Sequence, residues 1–359
     1  MKKGTITRKD VLRQLKADLI GKDSYRGVTL TYSWLANQFG HISLGFIPTL
    51  ILYSILQNHC SSLHPAFIAA LIISITWLLF ETYNFLGPLL LNKHSNSKLM
   101  YLPSKKDYTF KPAWGNVAFD TFTDLCFFWF GAFSAGLFLT FSWTVVCILI
   151  ALFLILLYPC SYWFLTKMYL QAAQYPYQFR LSQWDVDIHP DDIKTVTQFL
   201  RNEDTGKHLF VFGGRRSGKT SLCVGIATEL SIKHNDCFYT TGMKLYNMFF
   251  DPDSKLLSDK EALWTWRSSS LMVIDDINPG KPIIKDLVSA DNFLNMLDKY
   301  SGCDYENRSA VKNKNIIWVL GSKDNEKEET KSWKEMLGKI GVDVVNNVTS
   351  ISLLDSYLP

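Results

Sequence analysis

The stretch His208–Leu230, HLFVFGGRRSGKTSLCVGIATEL, decides how the rest of the chain is read. His208–Phe212 is short, apolar and bounded by glycine, which predicts a buried strand. Gly213-Gly214-Arg215-Arg216-Ser217-Gly218-Lys219-Thr220 fits G-x-x-x-x-G-K-[ST], and Ser221–Leu230 predicts a helix. Glycines at these positions let successive backbone N–H groups turn inward and cradle phosphate oxygens at a helix N-terminus. Lys219 is placed to reach the β- and γ-phosphates and the Thr220 hydroxyl to ligate Mg²⁺. Residues Gly213, Gly214, Arg215, Arg216, Ser217, Gly218, Lys219, Thr220 and Ser221 are therefore the candidate nucleotide-binding set. For Arg215 and Arg216 there are two readings, contact with phosphate or a neighbouring subunit, and plain surface exposure.

Fifty-six positions after Lys219, Leu271-Met272-Val273-Ile274-Asp275-Asp276 forms a hydrophobic strand ending in two carboxylates. This is the Walker B form. Asp275 is expected to hold Mg²⁺ through water, and Asp276 to polarise an attacking water. The plain alternative is a capped core strand. Between the two motifs lie a strand, Cys237–Thr241, and a helix-like run, Met243–Phe250. After them come a strand at Asn315–Leu320, the polar run Gly321-Ser322-Lys323-Asp324-Asn325, a short helix at Ser332–Leu337 and a last strand at Val348–Leu353.

A strand falling between the P-loop strand and the Walker B strand marks the additional-strand division of P-loop NTPases. Over roughly residues 205–355 the pattern resembles the AAA+ nucleotide-binding core, and the Asp-Asp-Ile ending is similar to replication-initiator and helicase-loader ATPases. The resemblance implies that Ser322 or Asn325 senses the γ-phosphate, that ATP and Mg²⁺ are the cofactors, and that a neighbouring subunit or partner completes the site. The chain departs from that pattern twice. Thirty-eight residues follow Gly321, too few for the usual helical lid, and no arginine follows Arg308 to serve as a trans-acting finger. Lys339, Arg267 and Arg308 are the substitutes on offer, so slow or partner-dependent hydrolysis is expected. A GTPase would need Asp-x-x-Gly and Asn-Lys-x-Asp. Neither is present in form, with Ser322-Lys323-Asp324 only echoing the second, and ATP is favoured.

Upstream, four stretches are long and apolar enough to cross a bilayer of about 30 Å: residues 33–56, 65–86, 117–139 and 143–165. No cleavable signal peptide is expected, because the first apolar run starts past residue 28 and lacks a small-residue cleavage site. The N-terminal segment carries Lys2, Lys3, Arg8, Lys9, Arg13, Lys16, Lys22 and Arg26. The 92–116 loop carries five lysines against Asp107, and the other two turns are uncharged. The positive-inside rule then puts both termini and the 92–116 loop in the cytoplasm, as an even number of spans requires. Residues 8–20 place Val11, Leu12, Leu15 and Leu19 on one helical face, which suits either an anionic lipid surface or the cytoplasmic domain.

The spans carry polar groups. Taking about 1.5 Å per residue, His41 lies roughly 12 Å in, Glu81 about 8 Å, and Asp120 and Asp124 roughly 5–10 Å, all from the cytoplasmic side. This layer of His41, Glu81, Asp120 and Asp124 reads either as a polar pocket or ion pathway, or as interhelical hydrogen bonding. Gly131 with Ala135, and Ala132 with Gly136, are spaced by four and offer faces for close helix packing.

Composition agrees. The 359 residues are 48% hydrophobic and only 19% charged, against about a quarter in ordinary soluble domains. Residues 1–180 hold 15 Lys/Arg against 7 Asp/Glu; residues 181–359 hold 22 against 26, so a nucleic-acid footprint on the second half is not expected. The seven cysteines form no C-x-x-C pair and read as reduced, buried residues. His59, Cys60 and His64 cluster in one loop as a weak metal alternative. Sequons at Asn307 and Asn347 fall in a half expected to be cytoplasmic, where they stay unmodified.

The expected fold class is α plus α/β: a four-helix transmembrane bundle followed by a three-layer α/β P-loop domain with a mostly parallel sheet and no evident helical lid. The expected divisions are a basic segment at 1–28, the membrane region at 29–166, a connector at 167–206 and the ATPase domain at 207–359. The expected partners are nucleotide, the lipid bilayer (a bacterial inner membrane) and a homo-oligomer or dedicated protein. The expected function is an ATPase that switches a membrane-associated assembly, in a defence, secretion or DNA-transfer setting. A nucleotide-gated pore and a nucleotide-binding scaffold are the alternatives.

Overall fold

The structure, a computed structural model, describes residues 5–19, 29–59, 64–90, 108–201, 205–249, 263–278, 287–299, 304–321 and 326–353. Ser322 and Asn325, Cys60 and Cys303, and residues 92–107 of the basic loop lie outside the described residues. The chain divides into two compact units, one of Val11–Asp107 and Pro112–Leu165, the other of Met1–Asp10, Tyr108–Lys111 and Thr166–Pro359.

The first unit is built on α1 (Arg8–Leu19) from Val11 onward and four long helices, α2 (Leu30–His59), α3 (Pro65–Leu90), α4 (Trp114–Leu139) and α5 (Trp143–Ala172), the last as far as Leu165. The segments Leu30–Asn58, Pro65–Leu86, Trp114–Leu139 and Trp143–Ala172 are each long and apolar enough to cross a membrane. The helices outrun the apolar stretches that announce them, because helical hydrogen bonding continues into polar flanking turns. Apolar bulk points outward in this unit: Ile51, Leu79, Phe138 and Leu154 are all exposed, while Ala132 and Ala135 are fully buried. Such an arrangement suits hydrocarbon outside and close backbone contact inside.

Glycine makes that contact. A Cβ on Gly45 of α2 would collide with the carbonyl oxygen of Phe128 in α4, and one on Gly131 of α4 would collide with that of Ile42. Pro48 cannot donate to the carbonyl four residues earlier, at Leu44. That carbonyl instead accepts from Trp77 Nε1 of α3 at 3.0 Å, the kind of neighbouring donor that lets proline sit in a membrane helix. On α1, Leu12 and Leu19 are exposed, while Asp18 is buried and accepts from the backbone N and the hydroxyl of Thr31 at 3.1 and 2.8 Å.

The second unit is an α/β layer structure. Its strands β1 (His208–Phe212), β2 (Cys237–Thr241), β3 (Leu271–Asp275), β4 (Asn315–Val319) and β5 (Val348–Ser352) form one sheet in the order β2-β3-β4-β1-β5, every pair parallel. The strand separating β1 from β3 in space is thus β4. β2, which lies between them in sequence, takes the edge. Among the described residues, six helices of eight or more residues surround the sheet: α6 (Pro190–Arg201), α7 (Lys219–Ile232), α8 (Gly242–Phe249), α9 (Ala290–Asp298), α10 (Asp304–Asn313) and α11 (Glu326–Ile340), the last followed by the short α12 (Val344–Asn347).

Side-chain alternation along the strands makes two cores. Leu209, Val211, Val273, Ile317 and Val319 face Leu222, Cys223 and Ile226 of α7 and Val196 and Phe199 of α6. Phe210 and Trp318 face the opposite way. There Phe293 of α9 lies 5.2 Å and Trp333 of α11 lies 5.3 Å from the Trp318 ring, edge-on and tilted. The sheet therefore carries helices on both faces. Cys126, Cys147, Cys160, Cys223 and Cys237 are free thiols, and of these only Cys147 is exposed.

Candidate functional site

β1 delivers the chain into the glycine-rich loop, and α7 takes it away. Gly213 leaves room for Ser217: a Cβ there would overlap its hydroxyl unless that side chain moved. Arg216 and Gly218 both adopt the left-handed region, with φ of 66° and 87°. Gly218 caps α7 without any side-chain hydrogen bond, and the first amide to bond back is that of Leu222, to Gly218 at 2.9 Å. The opening amides of α7, at Lys219, Thr220 and Ser221, therefore have no partner within the helix. Ser217 is almost wholly buried, yet its Oγ makes no hydrogen bond to the described residues. A buried hydroxyl with no hydrogen bond, at a helix start whose first amides the helix itself does not use, fits a bound phosphate. Lys219 Nζ donates to the carbonyls of Gly213 and Gly214 at 2.5 and 2.6 Å. Arg215 and Arg216 are exposed.

Two strands away, β3 ends in Asp275, whose carboxylate is buried and engaged at both oxygens. Tyr239 of β2 donates its hydroxyl to Oδ2 at 2.8 Å, and the Asp276 amide donates to Oδ1 at 2.8 Å. Burial, then the adjoining Asp275 carboxylate, push the Tyr239 phenol far above its ordinary range, so it stays protonated and donates to that carboxylate. Asp276 sits in the left-handed region at φ 51°. Partial burial and Asp275 raise its carboxyl above the usual range, against the opposing pull of the Lys219 ammonium. Lys219 and Asp275 both act electrostatically on Cys223 in the first turns of α7. The lysine and the two carboxylates expected from sequence thus gather at the carboxyl ends of β1 and β3, on the α7 side.

The arginines offered as fingers are committed elsewhere. Arg308 forms a bidentate pair with Asp298, both contacts at 2.6 Å, and donates to the Lys339 carbonyl at 3.0 Å. Arg267 donates to Asn307 Oδ1 at 3.0 Å and stacks over Trp266 at 5.0 Å.

Sequence reasoning passed over the segment between α5 and α6, which runs along α7 toward the loop. Thr166, near the end of α5, meets His234 at 2.9 Å; in the segment itself Tyr175 meets Ser231 at 2.8 Å, and Arg180 pairs with Glu229 at 2.8 Å. Gly225 admits Phe179 and Leu181 against the helix: a Cβ there would stand 3.2 and 3.3 Å from them. Tyr177 shares a hydrogen bond with Ser221 at 2.8 Å. Buried Trp184 lies so close to Gly218 that a Cβ there would stand 2.9 Å from its ring. The density of aromatics in 175–184 is the signal that marks this segment as core rather than linker. Tyr239 was missed too, and its tell is a hydroxyl-bearing aromatic in a strand otherwise buried.

In the other unit, His41 Nε2 lies 3.3 Å from Asp124 Oδ1, joining α2 to α4, and also 3.3 Å from Asn37 Nδ2. Asp120 and Glu81 lie within electrostatic reach of Asp124, so the four ionisable groups expected in one layer do gather. Among the described residues no group of three or more His, Cys, Asp or Glu side chains is arranged to hold a metal ion, and Cys60 of the His59–His64 loop lies outside them.

No protein-family model matches the chain, and no curated protein matches its sequence. Among solved structures it is similar to the DnaC helicase loader, at 18% identity and a TM-score of 0.34, over 52% of this chain and 99% of that one. It is also similar to DnaI, at 15% identity and a TM-score of 0.30, over 49% of this chain and 88% of that one.

Proposed function

We propose that this chain is a membrane-anchored ATPase. The observation that carries the reading is the convergence of Lys219, Asp275 and Asp276 at the carboxyl ends of β1 and β3, two parallel strands with β4 between them, beside a helix N-terminus and the buried, unbonded Ser217 hydroxyl. The amides of 213–221 and Lys219 bind the triphosphate. Thr220 and Asp275 hold Mg²⁺, which when bound neutralises charge on the phosphate oxygens. Asp276 orients the attacking water and takes its proton. Ser322 or Asn325, both beyond the described residues, has the role of γ-phosphate sensor in this reading. Because Arg308 and Arg267 are already paired within the chain, the positive charge needed at the γ-phosphate falls to Lys339 or comes from outside, from a second copy or a dedicated partner. Hydrolysis by the isolated chain is accordingly slow and serves as a switch.

The four long helices anchor this domain in a lipid bilayer, with both termini on the cytoplasmic, lysine-rich side; a bacterial inner membrane and a defence, secretion or DNA-transfer assembly suit that architecture. The test is a titration of the purified full chain, in detergent, with fluorescent ATP and GTP analogues, followed by phosphate release. Saturable, Mg²⁺-dependent binding that prefers ATP is expected. Absence of saturable binding would sink the reading, as would labelling of the two termini from opposite sides of a vesicle.

One observation favours a second reading, a nucleotide-gated pore: the His41–Asp124 contact inside the helical unit, with two further carboxylates near it. If the layer conducts, replacing Asp120 and Asp124 by Asn abolishes ion leakage from proteoliposomes and leaves ATP hydrolysis intact.

A further inference from the structure

Tyr239 does more than fill the sheet edge. It stands in β2 opposite Val273, so Asp275 lies two residues further along β3 on the same face, within diagonal reach of a long aromatic side chain. Its hydroxyl meets Asp275 Oδ2, and with the Asp276 amide on Oδ1 the carboxylate is held by one donor on each oxygen. Each carboxylate oxygen has a second acceptor site. One donor apiece therefore fixes the plane of the group and leaves outward lone pairs for a ligand. Groups that bond to metal-ligating carboxylates set their orientation and their basicity, and losing one weakens metal affinity by about 10–100-fold.

The backbone of the same residue has a second attachment. β2 is the edge of the sheet, and Tyr239 N, facing away from β3, donates to the carbonyl of Ala173 at 2.9 Å. Ala173 is the residue that follows α5. Two successive hydrogen bonds, Ala173 to Tyr239 and Tyr239 to Asp275, thus connect the end of the last long helix to the carboxylate.

We infer that Tyr239 is the positioning residue for Asp275: it holds that carboxylate in the orientation that receives the divalent cation of a bound nucleotide, and its own place is set by Ala173. This rests on the nucleotide reading above and adds to it a role for a residue outside the nucleotide-binding motifs. The experiment is a fluorescent-ATP titration of the full chain in detergent at rising Mg²⁺, with wild type, Tyr239→Phe and Tyr177→Phe compared. Tyr239→Phe removes one hydroxyl and keeps the ring, and Tyr177→Phe removes the neighbouring hydroxyl that bonds Ser221 instead.

The expected result is that Tyr239→Phe binds the Mg²⁺-free nucleotide as wild type does, yet needs about tenfold more Mg²⁺ for half-maximal enhancement, whereas Tyr177→Phe keeps the wild-type Mg²⁺ requirement. Unchanged Mg²⁺ dependence in Tyr239→Phe overturns the inference. So does an equal loss with and without Mg²⁺ accompanied by a lower melting temperature, which marks a merely structural hydroxyl. Failure of the wild type to bind nucleotide at all would instead remove the function on which the inference rests.

Discussion

The Lys219 ammonium donates to the Gly214 carbonyl oxygen at 2.6 Å, so the loop is closed on its own lysine. An incoming phosphate has to draw that ammonium away from two carbonyls and then gains a charge-assisted bond in return. Lys219→Ala is expected to weaken nucleotide binding by about tenfold or more, since a hydrogen bond to a charged group is worth roughly 1.5–3 kcal/mol. A fluorescent-nucleotide titration reads this directly; affinity equal to wild type would contradict it.

The left-handed backbone at Asp276 distinguishes two substitutions there. Asn tolerates that conformation nearly as well as Asp, whereas Ala pays about 1–2 kcal/mol to enter it. Asp276→Asn should therefore keep the melting temperature and nucleotide binding and lose phosphate release. Asp276→Ala should lose phosphate release and also melt lower. Equal melting of the two variants would show that the strain is not there.

In the helical unit four glycines give opposite expectations. Gly45 and Gly131 each face a backbone carbonyl that a Cβ would strike, while Gly40 and Gly115 have open space around the same position. Ala at 45 or 131 is expected to lower the melting temperature in detergent by forcing α2 and α4 apart. Ala at 40 or 115 is expected to be neutral or to stabilise by up to about 1 kcal/mol, through helix propensity. A uniform response at all four sites would remove the close-crossing account.

His208 gives the α/β unit an acid-sensitive step. It is buried, accepts from Trp318 Nε1 at 3.1 Å, and burial pulls its pKa down to about 3. Between that value and the unfolded value of about 6.5 the unfolded chain binds more protons, so stability rises with pH across this window and is lost as pH falls through it. Melting curves at pH 5 and pH 7, followed by tryptophan fluorescence, should differ in the wild type. In His208→Leu the difference should shrink, although Trp318 loses its acceptor and the variant melts lower at both pH values.

The parts legible in the sequence were those whose signals are local. The strand, glycine loop and helix at 208–232 announce themselves through neighbouring residues, and so does the apolar run into Asp275. Helix α11 was only half legible. Its first turns, Glu-Lys-Glu-Glu-Thr-Lys, have no apolar period, and the packing residues Trp333, Met336, Leu337 and Ile340 carry the whole helix from its second half. The His41–Asp124 pair was anticipated as a shared depth, but the pairing itself depends on how closely Gly45 and Gly131 let two helices cross. Tyr239 with Asp275, and Tyr177 with Ser221, are separated by 36 and 44 positions, and no motif links them in sequence.

The aromatic strip from Tyr175 to Trp184 also governs where the chain can be divided for bench work. A recombinant fragment begun at Lys207, where the strand motif starts, would leave Leu222, Cys223 and Ile226 without Leu181 and Trp184, which share their core, and would deny Gly218 and Gly225 the rings they were shaped to admit. Such a piece should come out of the cell as inclusion bodies. One begun at Thr166 would keep Leu181 and Trp184, though not Phe110 of the same core, and would be the better version to take into crystallisation or nucleotide soaking.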